Sequence, residues 1–296
     1  MPDTPRAGTK TAYIKKLDEL SRQVARLEDE AVRNALVLLR QTMVKIQTDI
    51  LTADGWRLSN LRNLHSQVNA MIDRLQAQLS ASYGGIQQQA YRLGVAAVDD
   101  PLKVSGLSLP IARLNRNVAL VLQGYSTDLI RGITNDLRTS INTTIAQHLL
   151  GQSSPFAALQ SLTRQLGVSD RLSDLTGVSA RAEKIFRTET QRIYGLSTDA
   201  RQQQIAAQVP DLSKVWIATG DHRTRRAHLL AHGQTVKVDE MFTVDGEPLR
   251  YPLDPRGSAK NTINCRCRMI TWRAGYGAPV PTTTSRVQAE KERRAK

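Results

Sequence analysis

The residues able to do chemistry are concentrated between Lys214 and Trp272. This stretch holds both cysteines, three of the five histidines and two of the three tryptophans. Cys265 and Cys267 are two apart, a spacing at which a mutual disulfide is strained. A disulfide scaffold is therefore excluded and a reducing compartment is the natural setting. Asp221, His222, His228 and Asp254 are the carboxylate and imidazole groups that could surround a catalytic metal, as a nuclease would need. None has a recognised nuclease spacing, and the sequence has no P-loop, nucleophile elbow or HExxH. No enzyme is expected and no catalytic residue is assigned. Asp254, just before Pro255, is expected to form an Asx turn rather than to act as an acid.

Arginine crowds the same stretch. Arg223, Arg225, Arg226, Arg266, Arg268 and Arg273 come from two segments that the fold would bring together. A guanidinium offers a planar fork that matches a carboxylate or a phosphate. Internal pairing is expected for Arg223 and Arg266, and for Arg187 upstream, toward Glu189, Asp221 or Asp254. Arg225, Arg226, Arg268 and Arg273 are expected to suit solvent-facing phosphate contacts. The net charge of +14 points toward an acidic partner such as duplex DNA, or toward a basic protein held in a large assembly.

The elements that must position these groups are mostly helical. Hydrophobic residues make up 40% and aromatics only 4%, so the core is expected to be Leu, Ile, Val and Ala. Leu17, Leu20, Val24, Leu27 and Ala31 recur at three and four, predicting a helix on toward Ile50, broken at Asp54-Gly55. A second helix follows from Leu58 to Leu79. Gly84-Gly85 should interrupt it, a short piece should run from Ile86 to Val98, and Asp99-Asp100-Pro101 should stop it. A long helix from Pro110 carries the stripe Ile111, Leu114, Val118, Val121, Tyr125, Leu129, Ile133, Leu137, Ile141, Ile145 and Leu149, expected to bury one face. Ser153-Ser154-Pro155 and Gly167 bracket a short helix over 155–166, and another runs from Ser179 to Gln208, ended by Pro210.

After Pro210 the rhythm changes. Val215–Ala218 reads as a strand, and Asp221 as the N-cap of a helix over 222–231 closed by Gly233. Asp245-Gly246 is a hairpin turn between 242–244 and 249–251. Residues 252–264 read as a polar loop. A closing strand, 266–272, would present Cys267, Met269 and Thr271 on one face and Arg266, Arg268, Ile270 and Trp272 on the other. The fold class is α+β: a helical bundle or stalk over 1–150, a domain with a small antiparallel sheet over 151–277, and a charged tail over 278–296 expected to be disordered. The first ten residues do not read as a signal peptide, and no apolar run is long enough to span a bilayer.

Arg187-Thr188-Glu189 on a helix, Trp216 on a strand, Asp221-x-Arg223-Thr224-Arg225-x-x-His228, Gly233, Tyr251-Pro252-x-Asp254 and Asn264-Cys265-Arg266-Cys267 together resemble the phage Mu F-like minor head protein, or head morphogenesis, family. The resemblance covers roughly residues 181–272. It implies a low-copy virion component at the head interior or portal vertex, present in host cytoplasm during assembly. It implies partnership with the portal and with major capsid or scaffold proteins, and a role in procapsid assembly, genome packaging or delivery. A DNA-binding or DNA-condensing head protein is the alternative. The family has no catalytic activity to carry over, and no membrane partner is implied.

Many relatives carry Cys-x-x-Cys where this chain has Arg225 and His228, and His-Pro-x-Cys-Arg-Cys before the last strand, a set that resembles a zinc site. Here His228, Cys265 and Cys267 remain, while Arg225 and Thr262 stand at two of the other positions. A closed structural zinc site takes four ligands, and His222, His232 and Asp221 are the candidates for a fourth. The sequence favours no metal and no cofactor: Cys265 and Cys267 as small buried residues lying beside a hydrogen-bonded His228.

Overall fold

A computed structural model of the chain describes residues 7–52, 58–110, 116–149, 155–169, 171–279 and 283–295. In order these form α1 (Ala7–Thr52), α2 (Leu58–Val104), α3 (Arg116–Leu149), α4 (Pro155–Leu166), α5 (Gly177–Ile205), β1 (Leu212–Ile217), α6 (Arg226–Ala231), β2 (Thr235–Lys237), β3 (Phe242–Val244), β4 (Glu247–Leu249), α7 (Ala259–Thr262), β5 (Arg268–Arg273) and α8 (Thr284–Ala295). The architecture is α+β, long helices first and a small antiparallel sheet near the end. No helix among the described residues is long and apolar enough to cross a membrane. The chain packs as two compact units, each gathered from separate stretches: Asp29–Ile86 with Arg116–Arg187, and Met1–Glu28 with Gln87–Asn115 and Thr188–Lys296. α1, α2 and α5 each contribute residues to both units.

The first unit is all helix. Its core is aliphatic, as composition requires: Val32, Leu39 and Ile46 of α1, Val68, Ile72, Leu75 and Leu79 of α2, Ile133, Leu137 and Ile141 of α3, and Leu162 of α4. Tyr83 meets Phe186 of α5 edge-on at 4.8 Å. Gly84-Gly85 does not interrupt α2. A helical glycine costs about 1 kcal/mol, and burial of the neighbouring Tyr83 and Ile86 offsets that. The predicted α3 stripe is only half right. Ile133, Leu137, Ile141 and Ile145 are buried, but Val121 is 71% and Tyr125 48% exposed. Each step of four overshoots a full turn by about 40°, so six such steps from Val121 to Ile145 swing through about 240°. The buried face of the earlier turns passes instead through Ser126 and Ile130. The Asp54-Gly55 break, Ile111, Leu114, the side chains of Val118 and Leu149, and Ser153-Ser154 lie outside what is described.

The second unit is built on the sheet β2-β1-β5, antiparallel throughout, with Trp216 opposite Met269 and Lys214 opposite Thr271. One core cluster joins Trp216, Met269, Cys265 and Cys267 to Leu229, Phe242 and Tyr251. A second joins Val215 and Trp272 to Tyr13, Val98, Leu102 and Ile205. α2 runs past the expected stop at Asp99-Asp100-Pro101, with Pro101 inside it. Proline has no N–H for the carbonyl four residues back. That carbonyl, Ala97 O, instead accepts from the Thr271 hydroxyl of β5 at 3.2 Å. Gly94 lets α2 and α5 approach closely: Thr198 Oγ1 donates to Gly94 O at 3.1 Å, and a Cβ at Gly94 would overlap Ser197 Oγ.

Four expectations change here. β2, which pairs with β1, was not foreseen. The short helix begins at Arg226 rather than 222, because Asp221 folds its own turn first. The loop over 252–264 contains α7. The tail expected to be disordered forms α8. Val287 is its buried apolar anchor, packed on Gly220, where a Cβ would lie 2.7 Å from Val287 Cγ2. Glu290 accepts from Arg293 at 2.6 Å and Arg294 at 2.7 Å, the i,i+3 and i,i+4 pairs that support a helix. Arg294 also donates to His222 O at 2.9 Å.

Candidate functional site

The closing strand begins at Arg268 rather than 266, so Cys265 and Cys267 lie in the segment just before β5, and both are buried in one cluster with Met269. α6 delivers His228 against them. His228 Nδ1 lies 3.3 Å from Cys267 Sγ and 3.4 Å from Cys265 Sγ. All three side chains are buried, and their donor atoms lie within 4.8 Å of one another. Trp216 stands edge-on to the imidazole at 5.7 Å. His228 Nε2 is buried without a hydrogen-bond partner among the described residues. Burial alone pushes both thiols up. At Cys265 hydrogen bonds from Cys267 and His228 outweigh it and draw the thiol well below its ordinary range. Cys267 is pushed well above, by burial and by the adjacent Cys265 sulfur. The sequence expectation that both cysteines lie beside His228 is met.

A clasp closes over the cluster. Arg266, between the two cysteines, forks onto Asp221 with Nη1–Oδ2 2.5 Å and Nη2–Oδ1 2.7 Å. Asp221 Oδ1 also accepts from the Arg223 backbone N–H at 3.1 Å and the Thr224 hydroxyl at 3.0 Å. The arginine hydrogen bonds hold the Asp221 carboxyl well below its usual range. Asp221 thus bonds the N–H expected of it, but in a turn that precedes the helix. Its ionic partner is Arg266, while the Arg223 side chain is exposed.

The remaining motif residues fasten the loop that carries the cysteines. Thr188 Oγ1 accepts from the Asn264 N–H at 3.0 Å, and Asn264 adopts φ +57, a conformation asparagine tolerates. Buried Glu189 pairs with Arg192 at 2.5 Å, and Arg192 Nε donates to Leu253 O at 3.1 Å. Asp254 is the expected Asx turn, accepting the Arg250 N–H at 2.8 Å and the Arg256 N–H at 3.1 Å. Tyr251 lies over Gly195, where a Cβ would fall 2.9 Å from its ring. Arg187 belongs to the helical unit and bonds Glu183 at 2.8 Å and Asp29 at 3.3 Å.

The arginines placed for phosphate contact separate. Arg268 is turned inward, donating to Ser21 O at 2.6 Å and Glu28 at 3.3 Å. Arg273 pairs with Asp211 at 3.0 Å. Arg225 Nη2 donates to Ile263 O at 2.6 Å. Arg226 is exposed on the rim of a groove of about 660 Å³. Sequence reading missed a buried charge network on β1. Lys214 Nζ, wholly buried, lies 3.3 Å from Asp199 Oδ1 and 2.9 Å from Arg250 O, and Arg250 Nε donates to Asp199 Oδ2 at 2.9 Å. A lysine beside the apolar run Val215–Ile217 of this strand was the available signal.

Among the described residues, no fourth His, Cys, Asp or Glu converges with His228, Cys265 and Cys267. The Arg225 guanidinium is a cation, and Thr262 Oγ1 donates to Ser258 O at 3.0 Å. The three soft donors that remain do converge.

The site thus combines a histidine on a short helix, a Cys-Arg-Cys segment leading into the closing strand, and a helix whose Thr188 ties down the intervening loop. Residues 156–270 match the family described as Phage Mu protein F like protein, which supports the resemblance of this segment to Mu F-like head proteins. Among curated proteins, the NAD(+)--arginine ADP-ribosyltransferase EFV of Enterococcus faecalis is 25% identical over 185 residues, covering 62% of this chain and 34% of that protein. Minor head protein GP7 of Bacillus phage SPP1 is 34% identical over 92 residues, 31% of this chain and 29% of that protein. The chain thus spans about a third of the length of the curated relatives it matches. No solved structure matches.

Proposed function

We propose that this chain is a minor head protein of a tailed phage, a structural component that serves head assembly at the portal vertex or head interior. The match of its Mu F-like segment, together with 34% identity to a minor head protein, carries the reading. The site supports it in kind. Asp221, Asp254 and Glu189 are each committed to arginine or backbone donors, which is how carboxylates are used to hold a fold rather than to move protons. Portal and capsid or scaffold proteins are the proposed partners, and the virion head the proposed location. Cryo-EM of procapsids from a host making a tagged chain tests this. Density or tag label at the portal vertex or inside the head is expected; heads that form normally and contain none of the chain would refute it.

A non-enzymatic role is part of the proposal. The name of the Enterococcus relative raises the contrary case, so the purified chain should be incubated with NAD⁺ and an arginine acceptor. No release of nicotinamide is expected, and turnover would overturn the non-enzymatic reading. DNA binding is the second reading, favoured by the charge of +14. With Arg268 and Arg273 engaged internally, it would rest on exposed cations such as Arg226. Such binding should be weak, sequence-independent and steeply reduced by salt.

A further inference from the structure

We propose that His228, Cys265 and Cys267 bind one soft divalent cation, zinc by the chemistry of the donors, through three protein ligands, leaving a fourth position open to a small pocket. The sequence favoured a metal-free cluster because two ligands of a closed set are replaced. The geometry points the other way. One imidazole nitrogen, Nδ1, faces two sulfurs at 3.3 and 3.4 Å. Both distances are those expected between ligands of one shared cation. With zinc–sulfur bonds of about 2.3 Å and zinc–nitrogen bonds of about 2.0–2.1 Å in a tetrahedral shell, neighbouring N and S ligands lie about 3.5 Å apart.

The surroundings fit the same reading. All three side chains are buried, so the donors are shielded from bulk solvent. The Asp221–Arg266 clasp fixes the segment from which both sulfurs project. Beside the cluster lies a pocket of about 10 Å³, with Thr219, Thr224 and Asn264 in its wall, room for about one water. Three protein ligands with a water or an added anion in the fourth place is the arrangement of an open rather than a closed zinc site. Binding replaces the two thiol protons with the cation and releases them to solvent.

The test uses the full-length chain purified without chelator, its metal content measured by plasma mass spectrometry before and after reloading with zinc. About one zinc per chain is expected, with Cys265→Ser and His228→Ala each losing it. Chelation should lower Tm by about 10 °C or more, restored by zinc. Because either variant could fail to fold, the wild-type chain is also loaded with cobalt(II). Thiolate-to-cobalt charge transfer and intense four-coordinate ligand-field bands are expected, shifting when fluoride, an anion about the size of one water, enters the open position. Zinc well below one per chain after reloading, or cobalt bands without charge transfer, would overturn the site. A cobalt spectrum indifferent to added ligand would overturn the open position.

Discussion

Asp221 and Arg266 allow the sharpest test of how the closing strand is held. Asp221→Ala removes a bidentate ion pair and two further hydrogen bonds, from the Arg223 N–H and the Thr224 hydroxyl. Hydrogen bonds to charged groups contribute about 1.5–3 kcal/mol when sheltered, and exposed pairs about 0–1 kcal/mol. The two side chains are 19% and 26% exposed, between those limits. The expected loss is about 2 kcal/mol, of which about 1–1.5 kcal/mol is coupling to Arg266. Urea unfolding followed by the fluorescence of buried Trp216, run as a cycle with Arg266→Ala and the double variant, isolates the coupling. A coupling below about 0.3 kcal/mol would show that the fork is geometry without energy. The pH dependence follows with its sign. The folded carboxyl is held below its usual range, first by the Arg266 hydrogen bonds, whereas an unfolded aspartate takes its proton near about pH 3.9. Below that pH the unfolded state binds more protons, so stability falls with acid. The contribution is complete above about pH 5 and is lost progressively below about pH 4, and Asp221→Asn should flatten that limb.

Five other substitutions, in three comparisons, test the packing and the buried charges. Gly94→Ala would ordinarily favour a helix by about 1 kcal/mol, but its Cβ would overlap Ser197 Oγ and come 2.6 Å from Tyr194 O, so a net loss of about 1–3 kcal/mol is expected in urea melts; a gain would show that α2 and α5 can part freely. Ile133→Asp places a charge in the helical core and should cost more than about 3 kcal/mol, while Val121→Asp on the exposed side should change stability by less than about 0.5 kcal/mol; equal effects in thermal melts would restore the straight stripe. Lys214→Met should leave stability within about 1 kcal/mol, since burial disfavours the charged lysine and Arg250 still serves Asp199, whereas Asp199→Ala strands two cations and should cost about 3–5 kcal/mol. The reverse order in calorimetry would show that the lysine, not the aspartate, organises the network.

What the sequence announces locally, the structure keeps. Asp245-Gly246 gives its hairpin because both central residues of that turn need positive φ, and they have 53° and 78°. The meeting of His228 with both cysteines was legible through the family resemblance, whose motif groups them. The errors arise where a distant partner decides. Pro101 is a helix stop on local chemistry, and only the hydroxyl of Thr271, 174 positions from Ala97, makes its lost bond harmless. Arg268 reads as a solvent-facing cation, since nothing beside it shows that Glu28 and Ser21 O will receive it. The charged tail has low hydrophobicity, and its order comes from a valine fitting a distant glycine together with the Arg294 bond to His222 O. The α3 stripe failed for a different reason: spacing was counted without accumulating the angle it implies.

The convergence on Thr271 has a consequence for how this chain comes into being on the ribosome. Its carbonyl accepts from the Tyr13 hydroxyl, 258 positions earlier, and its hydroxyl is engaged by Ala97 O and the Gln202 amide. Early, middle and late segments therefore meet at one residue, and none of these bonds can form before β5 emerges. At about 5–20 residues per second, Tyr13 waits roughly 13–50 s for its partner. Throughout that interval the apolar face of Tyr13 and Leu17 has no β5 strand to cover it. Such long-range closure is slow and leaves nascent chains open to association. Slowing translation should therefore lower the soluble yield of this unit more than that of the helical one, whose last stretch ends at Arg187.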